Sequence, residues 1–453
     1  MTRITIATAA LLATTSIAQA GGLDRSGQSI SPLFDEAGTT SLSFSYVNPN
    51  LTGDDSIATQ GSYDAGESYT NTTLSYANTV NDKFSYAVIA DQPFGADIFY
   101  NDDPTTSALG GTTADLGADA ISFVGRYKIN ERFSVFGGLR AQNAGGRVVL
   151  NGIAYANALG ARAGAVGLGE AVATAAQTPG AANQAAAQAI LAALGDEAGT
   201  AFAGVASGND ATAALEAQLN AAGFGTAVAT AQGTFGAVST NFGPSGGYEV
   251  EIEDDWGLGY TFGVAYEIPE IALRFAATYH SEVSHNTTGV EQSILFGPGE
   301  IDGDIDFATP QSVNLEFQTG LNQKTLLLAS MRWTDWDDFD VVPELLGTDL
   351  ADIEDSYTWN LGVARRFTDN LVGLASIRYE KANDNETVSP LGPTDGLIGL
   401  SLGVRYTADN LNVSGGINYT KIGDANPGVA GNPVASFEDN SAVGVGLRVA
   451  YKF

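Results

Sequence analysis

The chain has 453 residues and a formal net charge of −32, from 20 Lys and Arg against 52 Asp and Glu, a balance that repels nucleic acid. With no Cys and only two His, His280 and His285, it lacks the donors for thiol chemistry, a usual zinc centre or a His-based triad, and no cofactor or metal site is expected. Its 55 Gly, 17 Tyr and 21 Phe, with no long apolar run outside the N-terminus and one Ala-rich stretch, point to an all-β chain and away from a helical membrane protein.

Residues 1–20 read as a secretory signal peptide: Arg3 supplies the positive start, Ile4 to Ala13 the apolar stretch, and Ala18-Gln19-Ala20 a small-residue cleavage site. An anchor helix is the alternative, but the apolar run is too short for ~30 Å of hydrocarbon. Residues 21–38 follow as a short segment carrying Leu23, Ile30, Leu33 and Phe34, able to fill part of a lumen.

From about Thr39 onward the chain alternates with a period of two. The last segment is clearest: Val443, Val445, Leu447, Val449, Tyr451 and Phe453 form one face, with Gly, Ala, Arg448 and Lys452 on the other. Short polar turns fall at Asn81 to Lys83, Asn130 to Arg132, Glu267 to Glu270, Leu321 to Lys324, Thr368 to Asn370 and Ala408 to Asn410, with long Asp-, Asn- and Gly-rich segments between them. Six turns that each join two strands, with one opening and one closing strand, give fourteen. An even strand number, short turns on one rim and long loops on the other predict a 14-stranded antiparallel transmembrane β-barrel over 39–453.

A soluble β-sandwich would alternate too, but its dry core could not hold the eight arginines that fall on the non-lipid face: Arg126, Arg140, Arg274, Arg332, Arg366, Arg378, Arg405 and Arg448. The apolar faces also end in aromatics, such as Tyr127, Phe133, Trp359, Tyr406 and Tyr451, where interfacial girdles sit. Strand three is interrupted by Pro93, which cannot donate a ladder hydrogen bond, and Gly95, which permits a bend; the interruption reads either as a rim bulge or as a gap in the wall. Between strands five and six, residues 151–240 are Ala- and Gly-rich without strand alternation. One helix is expected over Gln184 to Leu194 and another, capped by Asp210, carries Leu215 and Leu219. This extracellular insertion reads as an apolar landing surface or as a low-complexity loop without a ligand role. The loops around Asp54, Asp102, Glu300 to Asp306, Asp335 to Asp340 and Asp349 to Asp355 are strongly acidic. Such runs collect divalent cations or merely solvate a loop, and none has EF-hand spacing.

Several stretches resemble the FadL-type outer-membrane transporters of long-chain fatty acids and aromatic hydrocarbons. They are Ala90-Asp91-Gln92-Pro93-Phe94-Gly95, Trp256-Gly257-Leu258-Gly259, Thr278 to Val283, Pro310-Gln311-Ser312-Val313, Arg332-Trp333-Thr334-Asp335-Trp336 and the terminal Tyr451-Lys452-Phe453. The resemblance spans nearly the whole mature chain and implies a monomeric barrel with an N-terminal hatch that releases hydrophobic molecules sideways into the membrane, and it favours the gap reading of Pro93 and Gly95. The long hatch with an Asn-Pro-Ala signature is missing: only 21–38 precede the first strand, and Asn48-Pro49-Asn50 falls after a strand.

The expected function is an outer-membrane channel of a Gram-negative bacterium, carrying hydrophobic molecules, foremost long-chain fatty acids, by passive diffusion with lateral release at strand three. Candidate ligand contacts are Arg140 for a carboxylate, Phe94, Leu33, Phe34, Leu215 and Leu219, with Pro93 and Gly95 at the gate. Inward arginines also pair with wall acids such as Glu267, Glu316 and Glu380, the competing reading of Arg140. Partners are small hydrophobes and the lipid and lipopolysaccharide around the barrel, with no nucleic acid. A general diffusion porin is the alternative. A lipid hydrolase would depend on Ser281 and His280, but adjacent strand residues point to opposite faces and no enzymatic activity is expected.

Overall fold

The computed structural model describes residues 23–57, 61–383 and 385–453, so the expected leader peptide lies outside the described residues. Fourteen antiparallel staves close into a barrel: β1 (Thr39–Asn50), β2 (Tyr69–Asn81), β3 (Phe84–Asp91 continuing as Gly95–Phe99), β4 (Thr113–Lys128), β5 (Phe133–Leu150), β6 (Tyr248–Ile268), β7 (Leu273–His280 and Val283–Ser293), β8 (Glu300–Thr309 and Ser312–Asn322), β9 (Thr325–Thr334), β10 (Ser356–Arg366), β11 (Leu371–Glu380), β12 (Leu397–Ala408), β13 (Leu411–Ile422) and β14 (Ser441–Lys452). Closure is by β1, which pairs with β2 on one side and with β14 over its whole length on the other, from Thr39 opposite Lys452 to Asn50 opposite Ser441. A closed ladder leaves no edge strand in lipid, the condition a membrane-spanning sheet must meet.

The alternation sorts side chains as the sequence implies. Leu258, Phe262, Leu361, Leu400, Ile417 and Leu447 face outward and are exposed, Leu258 at 76 %, whereas Ser41, Ser122, Thr278, Arg332, Ser401 and Arg448 are buried inside. All six short turns form where expected. Three share one device: the Asn81 Oδ1 accepts the amides of Lys83 and Phe84 at 3.0 Å, Asn130 those of Arg132 and Phe133 at 2.9 Å, and Asn322 that of Lys324 at 2.9 Å.

The insertion between β5 and β6 is helical throughout: α1 (Ile153–Gln177), α2 (Gln184–Leu194), α3 (Ala198–Ser207), α4 (Ala213–Ala221) and α5 (Gly225–Asn241). The second has the expected bounds and ends at Gly195, φ +54°. Asp210 is not the cap it was expected to be; Asn209 accepts the Ala211 amide at 2.9 Å, and a short 3-10 turn precedes α4. Small residues let the helices touch backbone to backbone, and a Cβ at Gly164 would lie 2.7 Å from both Ala206 Cβ and the Ala231 carbonyl oxygen.

The long-loop rim has a dry core of its own, in which Tyr63 stacks on Phe437 with ring centroids 6.1 Å apart. Its acids are partly structural. Glu291, fully buried, accepts the Tyr248 hydroxyl at 2.8 Å and the amides of Leu345 and Leu346 at 2.9 and 3.0 Å, tying the β9–β10 loop to β7. Among the described residues no group of three or more His, Cys, Asp or Glu is placed to hold a metal ion. Glu291→Ala would orphan two buried donors, the Tyr248 hydroxyl and the Leu346 amide, at ~1–3 kcal/mol each, and the half-buried Leu345 amide. Limited proteolysis is expected to cleave the 335–355 loop in that variant and spare it in the parent; equal resistance would remove the anchoring role.

Candidate functional site

The N-terminal segment lies across the lumen. Asp24, 1 % exposed, is ion-paired with Arg332 on β9 and accepts the Thr334 hydroxyl at 3.2 Å, while Arg332 also donates to Ser312 and Asn314 at 2.9 Å. On the opposite wall Arg25 donates its amide to the Pro93 carbonyl at 2.8 Å, and Gly95 donates to the Leu23 carbonyl at 2.9 Å. Lower down, a 3-10 turn over Ser31–Phe34 buries Ile30 and Leu33 against Ala87, Val124, Phe136 and Ala276. Phe34 sits between two cations, the guanidinium carbons of Arg126 and Arg274 lying 4.6 and 4.2 Å from its ring centre. Burial pushes the Asp35 carboxyl up, opposed by the Arg448 guanidinium 2.9 Å away.

Stave β3 is broken at Gln92 to Phe94. Below the break it pairs with β2 from Asn81 up to Leu74; above that level Tyr69 to Thr73 of β2 has no ladder partner on β3. Side chains bridge the space instead, Asn71 Nδ2 donating to the Gln92 carbonyl and the Thr72 amide to Gln92 Oε1, both at 3.0 Å. The residues of the segment thus stand where the strand is missing. Arg25 completes the patch: its Nε donates to the Gly95 carbonyl at 3.1 Å, it is ion-paired with Asp97, and it lies 4.2 Å over the Tyr69 ring.

Against this break lies a cavity with almost wholly apolar walls. Phe94, Gly95, Leu116 and Gly117 line one side, Phe307 and Pro310 the other, Leu23 the floor, and Trp336 with Phe339 the loop side. Phe94 meets Trp336 edge to face at 5.4 Å, and Trp336 meets Phe339 likewise at 5.5 Å. Of the sequence candidates, Phe94 and Gly95 come together here. Arg140 does not line the cavity; it is buried, donates to Ser122 Oγ at 3.2 Å and faces Asp91, whose Oδ2 accepts the Ser26 hydroxyl at 2.6 Å. Leu33 and Phe34 anchor the segment below, and Leu219 is enclosed in the helical lobe with Leu215 against it. Arg126 is ion-paired with Glu267, as wall pairing required. Trp336, Phe339, Leu350 and Leu391 reach the cavity from long loops, where no periodicity marks them in the sequence. His280 and Ser281 diverge: His280 Nδ1 meets Thr261 Oγ1 at 3.0 Å, while Ser281 Oγ accepts the Tyr260 amide and donates to the Glu282 carbonyl, both at 2.9 Å.

The comparisons with known proteins agree with this architecture. Residues 30–453 match the family model described as outer membrane protein transport protein (OMPP1/FadL/TodX). Outer membrane protein P1 of Haemophilus influenzae is 28 % identical over 178 residues, 37 % of this chain, and the matched stretch spans only 38 % of that relative's length. The fold resembles that of a Pseudomonas aeruginosa FadL homologue, at 15 % identity and a TM-score of 0.62 over 97 % of this chain and 99 % of the other. It also resembles the Pseudomonas putida toluene transporter TodX, at 12 % identity and a TM-score of 0.56 over 96 % and 98 %. The family model, which spans nearly the whole barrel, assigns the chain to the outer membrane, among transport channels rather than enzymes. This chain belongs to the OMPP1/FadL/TodX family of outer membrane transport proteins.

Proposed function

We propose that the protein takes hydrophobic molecules from outside the cell into the apolar cavity and releases them sideways into the membrane through the break in β3, with Leu23 to Ser26 as the hatch that covers the break. The observation that carries this reading is the cavity itself: an apolar space with Phe94 and Gly95 of the broken stave in its wall. Its lining has no charged side chain, so burial of apolar surface supplies the affinity, at roughly 25 cal/mol per Å². A lateral route spares an apolar ligand the polar lumen below, where Arg126, Arg274, Arg405 and Arg448 surround the 31–36 segment.

Aromatic hydrocarbons and uncharged long-chain molecules both fit such walls; a carboxylate finds no cation in them. The helical lobe above β5 and β6 offers the first contact for ligands arriving from the medium. The test is uptake of radiolabelled toluene and of labelled oleate by cells with and without the protein, beside single-channel recording in planar bilayers. Uptake lost on deletion with almost no steady conductance is the expected pair of results; steady ion conductance with unchanged uptake would make the protein a general porin.

A further inference from the structure

We propose that the outer wall of the barrel holds a phospholipid of the periplasmic leaflet, with an acyl chain in a groove across β10 to β13 and the phosphate on Arg365. Alternation decides which side chains meet lipid here: Val363, Leu402 and Ile417 face outward and are exposed, whereas Ala364, Leu374 and Ser414 face inward and are buried. Arg365, Gly373, Val404 and Gly415 form one row across this outer face, each opposite the next in the ladders. In the row above, Ala375 stands between Val363 and Leu402. The small residues thin the wall between larger neighbours, so the groove reaches down to the backbone of Gly403 and Gly416. At Gly373 the ring of Phe367 takes the place of a side chain, 2.5 Å from where a Cβ would stand, and closes the groove toward the short turn. At Gly415 the space is open: a Cβ there meets only the Gly446 carbonyl oxygen, at 3.8 Å. Glycine inside a strand weakens it, and is found where another molecule comes close to the backbone.

Position and charge select the occupant. The groove lies in the half of the wall next to the short turns, which face the periplasm in such barrels, so the lipid against it belongs to the phospholipid leaflet. Arg365 points outward at the end of the groove, one row inside the level of Tyr406 and Leu371, where the aromatic girdle begins. Its stem lies along apolar wall while its head reaches the interface. The head donates from Nη1 to Thr325 Oγ1 at 3.4 Å, and among the described residues no carboxylate is ion-paired with it, although the chain has 52 acids. Asp369, on the adjoining turn, makes no ion pair with it. Lys324, exposed on the neighbouring turn, adjoins Thr325, the ladder partner of Arg365, so a second cation stands at the same edge. A planar fork of N–H donors at the membrane surface, free of acids and backed by an ammonium group, suits a phosphodiester, and the groove above it suits the chain attached to that phosphate.

The probe is palmitoyl-oleoyl phosphatidylglycerol, added to the detergent-purified protein and counted by native mass spectrometry; diacylglycerol with the same chains tests the need for phosphate. The parent is expected to retain a single phosphatidylglycerol under activation that strips the rest, and no diacylglycerol. Arg365→Gln is expected to lower the retained fraction by about fivefold or more. Arg365→Lys lowers it less, because a point charge replaces the fork. Gly415→Phe, which meets open space, is expected to displace the lipid by filling the groove. Heat-modifiable mobility on gels establishes that each variant is folded. Equal retention by the parent and Arg365→Gln, or equal retention of phosphatidylglycerol and diacylglycerol, would overturn the site. A dimer of the parent that Gly415→Phe dissociates would give the groove to a second copy of the chain and overturn it as well. The reading of the apolar cavity stands or falls separately, on the uptake measurements.

Discussion

Asp24→Ala is expected to turn a closed barrel into one that conducts ions in steady steps. The carboxylate of Asp24 is the countercharge of Arg332, and both groups are almost without solvent contact, at 1 % and 6 % exposure. Removing one partner of a buried pair leaves the other charge uncompensated, at ~3–5 kcal/mol. Arg332 keeps Ser312 and Asn314, both on its own side of the lumen, but its hold on the crossing segment falls to Gln28 at 3.3 Å. What then ties residues 23–26 down is main-chain bonding to Pro93 and Gly95, the Ser26–Asp91 bond and the Arg25 contacts, all on the β3 side, while Gly27 and Gln28 keep their bonds to Asn314 and Ser312. The segment is thus expected to swing toward β3 and uncover the lumen while the 31–36 anchor stays buried. Trypsin sensitivity at Arg25 and single-channel conductance measure this directly. Asp24→Ala with Arg332→Met removes both charges and is expected to lose most of the destabilisation, because replacing a whole buried pair is close to neutral. Wild-type conductance in the single variant would show that the pair does not latch the hatch.

The barrel is legible in the sequence because its determinants are local. A period of two along each stave, and Asn side chains that accept the amides of their own turns at Asn81, Asn130 and Asn322, need no knowledge of distant neighbours. The β3 break is legible for the same reason, since Pro93 cannot join a ladder wherever it lies. The breaks in β7 and β8 differ: Pro310 marks one, but Ser281-Glu282 carries no local signal, and that bend follows from its partner strand and from the glycines at 257 and 259 on β6. Helices α1 and α5 were invisible to periodicity because their contacts are made by Gly and Ala, so no apolar stripe stands out.

The candidate site divides along the same line. Phe94 and Gly95 sit in a broken strand and could be named. Trp336, Phe339, Leu350 and Leu391 converge from loops far apart in the chain, which only the fold brings together. Arg140 shows the limit of reading charge from a strand pattern. An inward arginine is as well suited to a wall network as to a ligand, and Arg140 lies against Ser122 and Asp91, away from the cavity lining.

Gly117→Phe is expected to slow release through the β3 break with little effect on the fold, the cleaner of the two large effects. Gly117 lies on β4 opposite Gly95 and Gly145, is exposed on the outward face with Ile121 and Phe123, borders the cavity, and a Cβ built on it meets nothing within 4 Å. An aromatic side chain there stands at the lipid-side mouth of the cavity without striking backbone, and an exposed substitution of that kind leaves stability within about 0.5 kcal/mol. The neighbouring glycine is the control. A Cβ at Gly138 would come 1.9 Å from the Phe123 carbonyl oxygen, so Gly138→Ala must displace β4 from β5 and lower the melting temperature. Release of naphthalene from protein in nanodiscs to acceptor vesicles separates the two: for Gly117→Phe, the rate falls several-fold at an unchanged melting temperature, because the side chain covers the route and leaves the wall intact. An undiminished release rate in Gly117→Phe would place the exit elsewhere than at the β3 break.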